Sequence, residues 1–171
     1  MLKVLIKPDY WKYIFKDGKT GWHYLAKYGL SFALIGPILS FFSLTSQSNY
    51  SMQKALLYST TTYFMDILMI IIFSYTISKI LKKDLNQILK FYTVVNIPIW
   101  ISDVVDIYQP LRILSNVGLI YSFYVLWTGS GFVTIKKYYF FIAIFHILLY
   151  IINAFLSELI ATNPILKALL M

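Results

Sequence analysis

Long runs of apolar residues dominate this chain, and such runs leave few folds open. The core of a bilayer has no water to bond an exposed backbone, so a chain buried there must close its own hydrogen bonds as helices or as a complete barrel. Runs of about 18 or more apolar residues with few charges fit the helical solution. Five occur here, at 28–46, 55–78, 91–108, 111–128 and 138–161. Hydrophobic residues make up 59% of the chain and charged residues 13%, about half the charge of an ordinary soluble domain. The reading is an all-α integral membrane protein: a bundle of five transmembrane helices over 28–171, preceded by a short interfacial amphipathic segment over 1–27. No polar stretch is long enough for a second folded unit. The run at 91–108 is the weakest, being short, interrupted by Pro98 and carrying Asp103 and Asp106, and a re-entrant hairpin is the alternative there.

The basic residues give an independent test of the count, because cytoplasmic loops of membrane proteins are enriched in Lys and Arg. With five spans, Lys3, Lys7, Lys12, Lys16, Lys19, Lys27, Lys79, Lys82, Lys83, Lys90, Lys136 and Lys137 fall on one side, and Lys54, Arg112 and Lys167 on the other. Twelve against three places the N-terminus in the cytosol and the C-terminus on the far side. Omitting the third span would move Lys136 and Lys137 outward, against the rule. The net charge of +8 does not imply nucleic acid: all but one of the 15 basic residues are Lys, set beside the apolar runs, whereas base and phosphate readout favours Arg. The chain has no cysteine, which removes disulfides and thiolate metal sites. The apolar run in MLKVLIKPDY is too short for a secretory leader, so no cleavable signal is expected.

The N-terminal segment has a pattern of its own. Pro8 suits a first helical turn, and Trp11, Ile14 and Phe15 then share a face rimmed by Lys12, Lys16 and Lys19. This predicts a short helix lying in the membrane interface, anchored by Tyr10, Trp11, Phe15 and Trp22. A docking site for other membrane or cytosolic proteins is the alternative use of the segment.

With these residues in view, the opening IKPDYWKYIF resembles that of the Yip family, the Ypt/Rab-GTPase-interacting five-span membrane proteins. GPILSFF in the first span is similar to the family's small-residue and Pro pattern. GLIYSFYVLWTGSGFVTIKKYYFF resembles its Tyr-Ser-aromatic-Tyr span, followed by glycine and a basic loop before the last span. The likeness covers nearly the whole chain in span number, order and loop length. It implies a non-enzymatic role in membrane organisation or trafficking. Eukaryotic members contact prenylated Rab GTPases and carry a long polar N-terminal region, whereas here about 27 residues precede the first span. The Lys, Ile and Tyr bias with a single Arg suggests an AT-rich, prokaryotic genome, which places the protein in a cytoplasmic (inner) membrane. Prokaryotic relatives have no Rab system, so Rab binding does not carry over.

Ionisable residues inside spans are costly, roughly 2.5–3.5 kcal/mol each at the centre on insertion scales, so those present call for an explanation. Asp66 falls near the middle of the second span, while Asp103, Asp106 and Glu158 fall toward the outer ends of the third and fifth, with Arg112 opening the fourth. Helical spacing groups Tyr92, Asn96, Ile99, Asp103 and Asp106 on one face, His146, Tyr150, Asn153 and Ser157 on another, and Ser59, Thr62 and Asp66 on a third. Ser115, Gly118 and Ser122 form a small-residue face that admits a close neighbour. Such polar stripes should face inward. The expectation is that Arg112 neutralises Asp103, Asp106 or Glu158 and that Asp66 lies near His146 or Asn116.

Two uses compete for this candidate site of Asp66, Asp103, Asp106, Arg112, His146, Asn153 and Glu158. It staples helices together, or it forms an outward-opening cavity for an ion, a proton or a lipid headgroup, as a small transporter or channel would need. Catalysis is not indicated, since His23 and His146 lie far apart in sequence and GSG at 129–131 reads only as a loop. No cofactor or metal is expected, the partners are membrane lipids and proteins, and homo-oligomerisation is left open.

Overall fold

The computed structural model describes residues 2–164, and all regular structure among them is helical. Lys167 and the end of the 28–171 bundle lie outside the described residues. A short helix α1 (Lys3–Ile6) and α2 (Trp11–Lys16) precede four long helical stretches: α3 (Gly21–Gln47), α4 (Met52–Leu81), α5 (Leu85–Ser102, prolonged by a 3-10 turn, Asp103–Ile107) and α7 (Tyr139–Thr162). Between α5 and α7 lie a 3-10 segment (Gln109–Ser115) and α6 (Asn116–Ser130). Four stretches, Gly21–Gln47, Met52–Leu81, Leu85–Ile107 and Lys136–Thr162, are long and apolar enough to cross a membrane. The run at 111–128, read as a span of its own, is not among these four; it is built as a tighter 3-10 entry followed by a 15-residue α-helix that continues to Ser130.

The helix ends follow local chemistry. The hydroxyls of Thr20 and Ser51 and the Asp84 carboxylate accept the backbone N–H groups of His23, Lys54 and Gln87, each an N-cap satisfying a donor the helix itself leaves free. Pro37 has no N–H to offer Ala33, and α3 loosens into a turn at Ala33–Leu34. α4 ends where Lys82 adopts a left-handed conformation, φ 51°.

The segment that looked weakest in sequence is the centre of the bundle. α5 is buried continuously from Ile88 to Val95 and again from Ile97 to Trp100, whereas α4 and α7 present Phe64, Ile72, Phe140, Ile144, Ile151 and Phe155 outward. A helix walled by protein can carry Pro and polar residues that lipid would not tolerate. This also explains why it begins at Leu85, six residues before the apolar run does. α5 and α6 run antiparallel in close contact: at one end Gly129 meets Phe91 and Trp11, and at the other Gly118 meets Ser102 and the Pro98 backbone. A side chain at either glycine would collide with these neighbours, so Gly129, expected within a plain loop, is a packing position, while Gly131 two residues on has open space beside it.

Trp11 corrects the interfacial-anchor expectation. It is 0% exposed, stacked with Phe15, tilted against Phe91 and bonded through Nε1 to the Thr128 hydroxyl at 3.2 Å. Phe15 stacks in turn on Phe132, and Tyr10 packs at the edge of the same core. The apolar face of α2 is therefore spent on the protein, because the small residue Gly129 opens a slot that an indole fills better than lipid does. Trp22, half exposed at 50%, keeps its side chain outward.

Lys90, counted among loop charges, is buried, and its ammonium donates to the Ile14 carbonyl at 2.9 Å and to Asp17 Oδ1 at 2.8 Å. Burial pushes the Asp17 carboxyl up, but the Lys90 ammonium, the Tyr24 hydroxyl at 2.6 Å and the Lys19 backbone N–H outweigh it, and the net position is below the ordinary carboxylate range. A carboxyl lowered in the folded state stabilises that state above its unfolded pKa, about 3.9, and loses the contribution as pH falls below that value. Trp11→Ala should destabilise the protein by about 3–5 kcal/mol, the usual cost of emptying such a site, measured as a lower thermal transition in detergent. Limited proteolysis at Lys12 and Lys16 should accelerate below about pH 4 in the parent and be fast at every pH in Asp17→Asn.

Candidate functional site

The three polar stripes converge. A cleft of about 370 Å³ lies between α3, α4, the α5–α6 turn and α7, and it is lined by Asp66, Asp103, Asp106, Arg112, Tyr150 and Asn153 among others. Its floor is Asp66, midway along α4. Oδ2 accepts the Trp100 indole N–H at 3.2 Å and Oδ1 accepts the Asn153 amide at 2.5 Å. Ser157 donates to Asn153 Oδ1 at 3.2 Å, which orients that amide so that its NH₂ meets the carboxylate. His146 and Asn116, expected near Asp66, border the same cavities as Asp66 without bonding to it, and Trp100 was not foreseen. The reason is rotational: Trp100 lies on the α5 face turned to α4, and an indole leaves no mark in a stripe of polar residues.

His146 is built into a different network. Its Nδ1 lies 2.6 Å from the Tyr92 hydroxyl and its Nε2 2.8 Å from Ser122 Oγ, so both ring nitrogens are engaged, each by a hydroxyl that can donate or accept. Tyr92 stacks flat on Phe73 at 3.4 Å between centroids, and Phe73 stacks on Phe145. A gap of only about 20 Å³ separates this aromatic layer from Asp66. Beneath the cleft floor the bundle is thus packed, ring against ring.

At the mouth the charges sort by geometry. Arg112 Nη2 donates to the Tyr58 hydroxyl at 2.7 Å, and Nε stands 3.8 Å from Asp106 Oδ2, which also accepts Ser40 Oγ at 3.1 Å. Glu158 is not part of this group. It pairs with Lys54 at 3.1 Å and accepts the Tyr50 hydroxyl, because α4 begins beside the end of α7 and brings Lys54 closer than Arg112. Asp103 packs its carboxylate against Gly36, where a Cβ would collide with it. Of the α4 stripe, Thr62 and Asp66 face the cleft, while Ser59 faces a neighbouring apolar groove. Ser115 lines the cleft, and its carbonyl accepts Ser102 Oγ at 2.7 Å.

The arrangement brings Asp66, Asp103, Asp106, Arg112 and Asn153 to one cavity and leaves His146 behind its floor and Glu158 outside its mouth. Chemically it offers carboxylate acceptors, one guanidinium with N–H groups to spare, and several hydroxyls. Among the described residues no group of three or more His, Asp or Glu is placed to hold a metal ion. Arg112→Gln should destabilise the fold by roughly 1–3 kcal/mol, less than a fully buried pair would lose because the guanidinium is 33% exposed. The double variant Arg112→Gln with Asp106→Asn should recover most of that loss, read by thermal transitions of the four-member cycle.

A family model described as the Yip1 domain matches residues 2–157. No curated protein matches the chain, and no solved structure does.

Proposed function

Since this chain belongs to the Yip family, we propose that it is a non-enzymatic membrane protein that organises the membrane by binding, its cleft receiving a polar ligand from one side of the bilayer. The observation that carries this reading is the closed floor. The cleft reaches Asp66 midway along α4 and stops against the Phe73–Tyr92 stack and the His146 network. A channel or carrier using the same carboxylates needs a polar route onward, and packed aromatic rings oppose one. Partner binding through the N-terminal segment belongs to the same reading, with Tyr13 and Trp22 exposed beside its lysines.

The proposed topology has five crossings, with the N-terminus in the cytosol, the C-terminus on the far side and a prokaryotic inner membrane as the setting. The lysine distribution supports the orientation. The antiparallel pairing of α5 with the following segment supports the count. From Phe91 opposite Gly129 to Ser102 opposite Gly118 the two run side by side, so if Leu85–Ile107 crosses, residues 109–130 return. At the rises of the two helix types that return spans about 36 Å, enough for a hydrocarbon core of about 30 Å.

The absence of native cysteine makes both points measurable by single substitution. An impermeant maleimide should label Lys82→Cys and Lys137→Cys from the cytosolic side and Leu111→Cys from the opposite side. Labelling of positions 111 and 137 from the same side would remove the fifth crossing. In the same experiment a small water-soluble thiol reagent should modify Asp103→Cys from the side of Leu111. Proteoliposomes should pass H⁺, Na⁺ and K⁺ no faster than empty vesicles. A flux that disappears in Asp66→Asn would establish the transporter in place of the binder.

A further inference from the structure

Two polar groups in this region lack partners that the fold could have given them. Asp106 is 6% exposed and lines the cleft, yet its Oδ1 is buried without a hydrogen bond. Ser59, also 6% exposed, lines the neighbouring groove, and its Oγ is likewise buried and unpaired. A serine in an apolar helix ordinarily returns its hydroxyl to a carbonyl one turn back, as Thr62 does to Tyr58 on the same helix. Leaving such atoms unpaired costs about 1–3 kcal/mol each. Ser74 Oγ on α4 is unpaired as well but lies in the packed core, 0% exposed, whereas Asp106 and Ser59 border cavities from which a partner outside the chain can arrive.

The groove fixes what kind of molecule could meet both. It is an apolar channel of about 420 Å³ between α3 and α4, bordered by Leu34, Ile38, Phe41, Leu56 and Tyr63. Pro37 is a wall of the cleft and of the groove at once. Tyr63 links the groove to a further apolar hollow, bordered by Phe64, Ile67 and Leu68, which runs toward the middle of α4. The cleft meets α4 from Tyr58 to Asp66 and the groove meets it from Leu56 to Tyr63, so the two lie side by side with Pro37 between them, and the apolar trough continues inward past Tyr63. A charged cleft flanked by an apolar trough matches the headgroup and an acyl chain of one phospholipid. The charges narrow the headgroup. Asp103 and Asp106 favour a cation that can donate hydrogen bonds, and Arg112, with one N–H on Tyr58 and a loose 3.8 Å contact to Asp106, retains donors for an anionic phosphate.

We propose that the cleft and groove together hold one phospholipid with a primary-amine headgroup: the ammonium lies against Asp103 and Asp106, the phosphate on Arg112, the glycerol ester at Ser59, and one acyl chain between α3 and α4. This deepens the binding reading above by naming its ligand. A quaternary ammonium would have no N–H for the carboxylates, and an anionic glycerol headgroup would meet them with no cation. A cavity of about 370 Å³ is within the usual range for a small-molecule site, about 300–1,000 Å³.

The test uses the full chain in nanodiscs of phosphatidylcholine containing a tenth of phosphatidylethanolamine or phosphatidylglycerol, released gently into detergent and weighed by native mass spectrometry. One phosphatidylethanolamine per chain is expected, retained at least tenfold over the other two. Asp103→Asn with Asp106→Asn should lower that preference tenfold or more. Leu56→Trp, on the lipid-facing wall of the groove and away from the charges, should cut retention of every lipid while leaving the thermal transition in place. That variant keeps the test decisive if the charge variants do not fold. Equal retention of all three lipids overturns the amine assignment and leaves the binding reading standing. Retention unaffected by Leu56→Trp overturns the groove. Soluble phosphoethanolamine displacing the lipid in full at equal concentration overturns the lipid as the ligand and assigns the cleft to a free phosphate ester. No retained lipid, together with no labelling of Asp103→Cys, overturns the binding reading itself.

Discussion

The structure rests on a constraint the solvent imposes: inside a bilayer there is no water to answer a polar group. α5 carries Lys90, Thr93, Asn96, Asp103 and Asp106 on its length and its 3-10 extension, and the other helices are arranged around it so that most of these groups find partners within the protein. Lys90 reaches the N-terminal segment, Thr93 and Asn96 bond carbonyls one turn back, and Asp106 meets Ser40 and Arg112. The outer helices need only be apolar on the side facing lipid, and α4 and α7 are.

The two ends of the bundle are built differently. At the end bearing the N-terminal segment, polar and aromatic groups close on one another: Trp11 fills the slot above Gly129, and Lys90 locks Asp17 and the end of α2 onto the bundle. At the other end Gly36 and Gly118 let neighbours approach closely, Arg112 pairs with Asp106 at 3.8 Å, and the cleft lies between the helices. One end is packed around an indole and an ion pair, and the other around the charged cleft.

Periodicity carried much of the candidate site. The faces Tyr92–Asn96–Ile99–Asp103–Asp106 and His146–Tyr150–Asn153–Ser157 follow from 3.6 residues per turn, and both do line the space between the helices. What periodicity could not provide was pairing across helices. Arg112 could have met Asp103, Asp106 or Glu158 on sequence grounds, and the register of α4 against α7 assigned Glu158 to Lys54 instead. Asp66 found Trp100 and Asn153 because of the rotation of α5, a quantity with no trace in any single helix. The misjudged role of Trp11 has the same origin, since an aromatic residue flanked by lysines reads identically whether its ring enters lipid or a slot beside a distant glycine.

The amino-acid sequence by itself determined that the chain is helical and membrane-embedded, since apolar runs of that length have few other solutions, and it determined which residues share a helix face. The tertiary structure alone decided that the most polar helix is the central one, that 111–128 is entered through a 3-10 turn, and which charges meet. These depend on contacts between residues as much as 117 positions apart, as with Trp11 and Thr128. Local propensity is a property of neighbours in sequence, whereas pairing energy belongs to neighbours in space, and only the packed bundle defines the second.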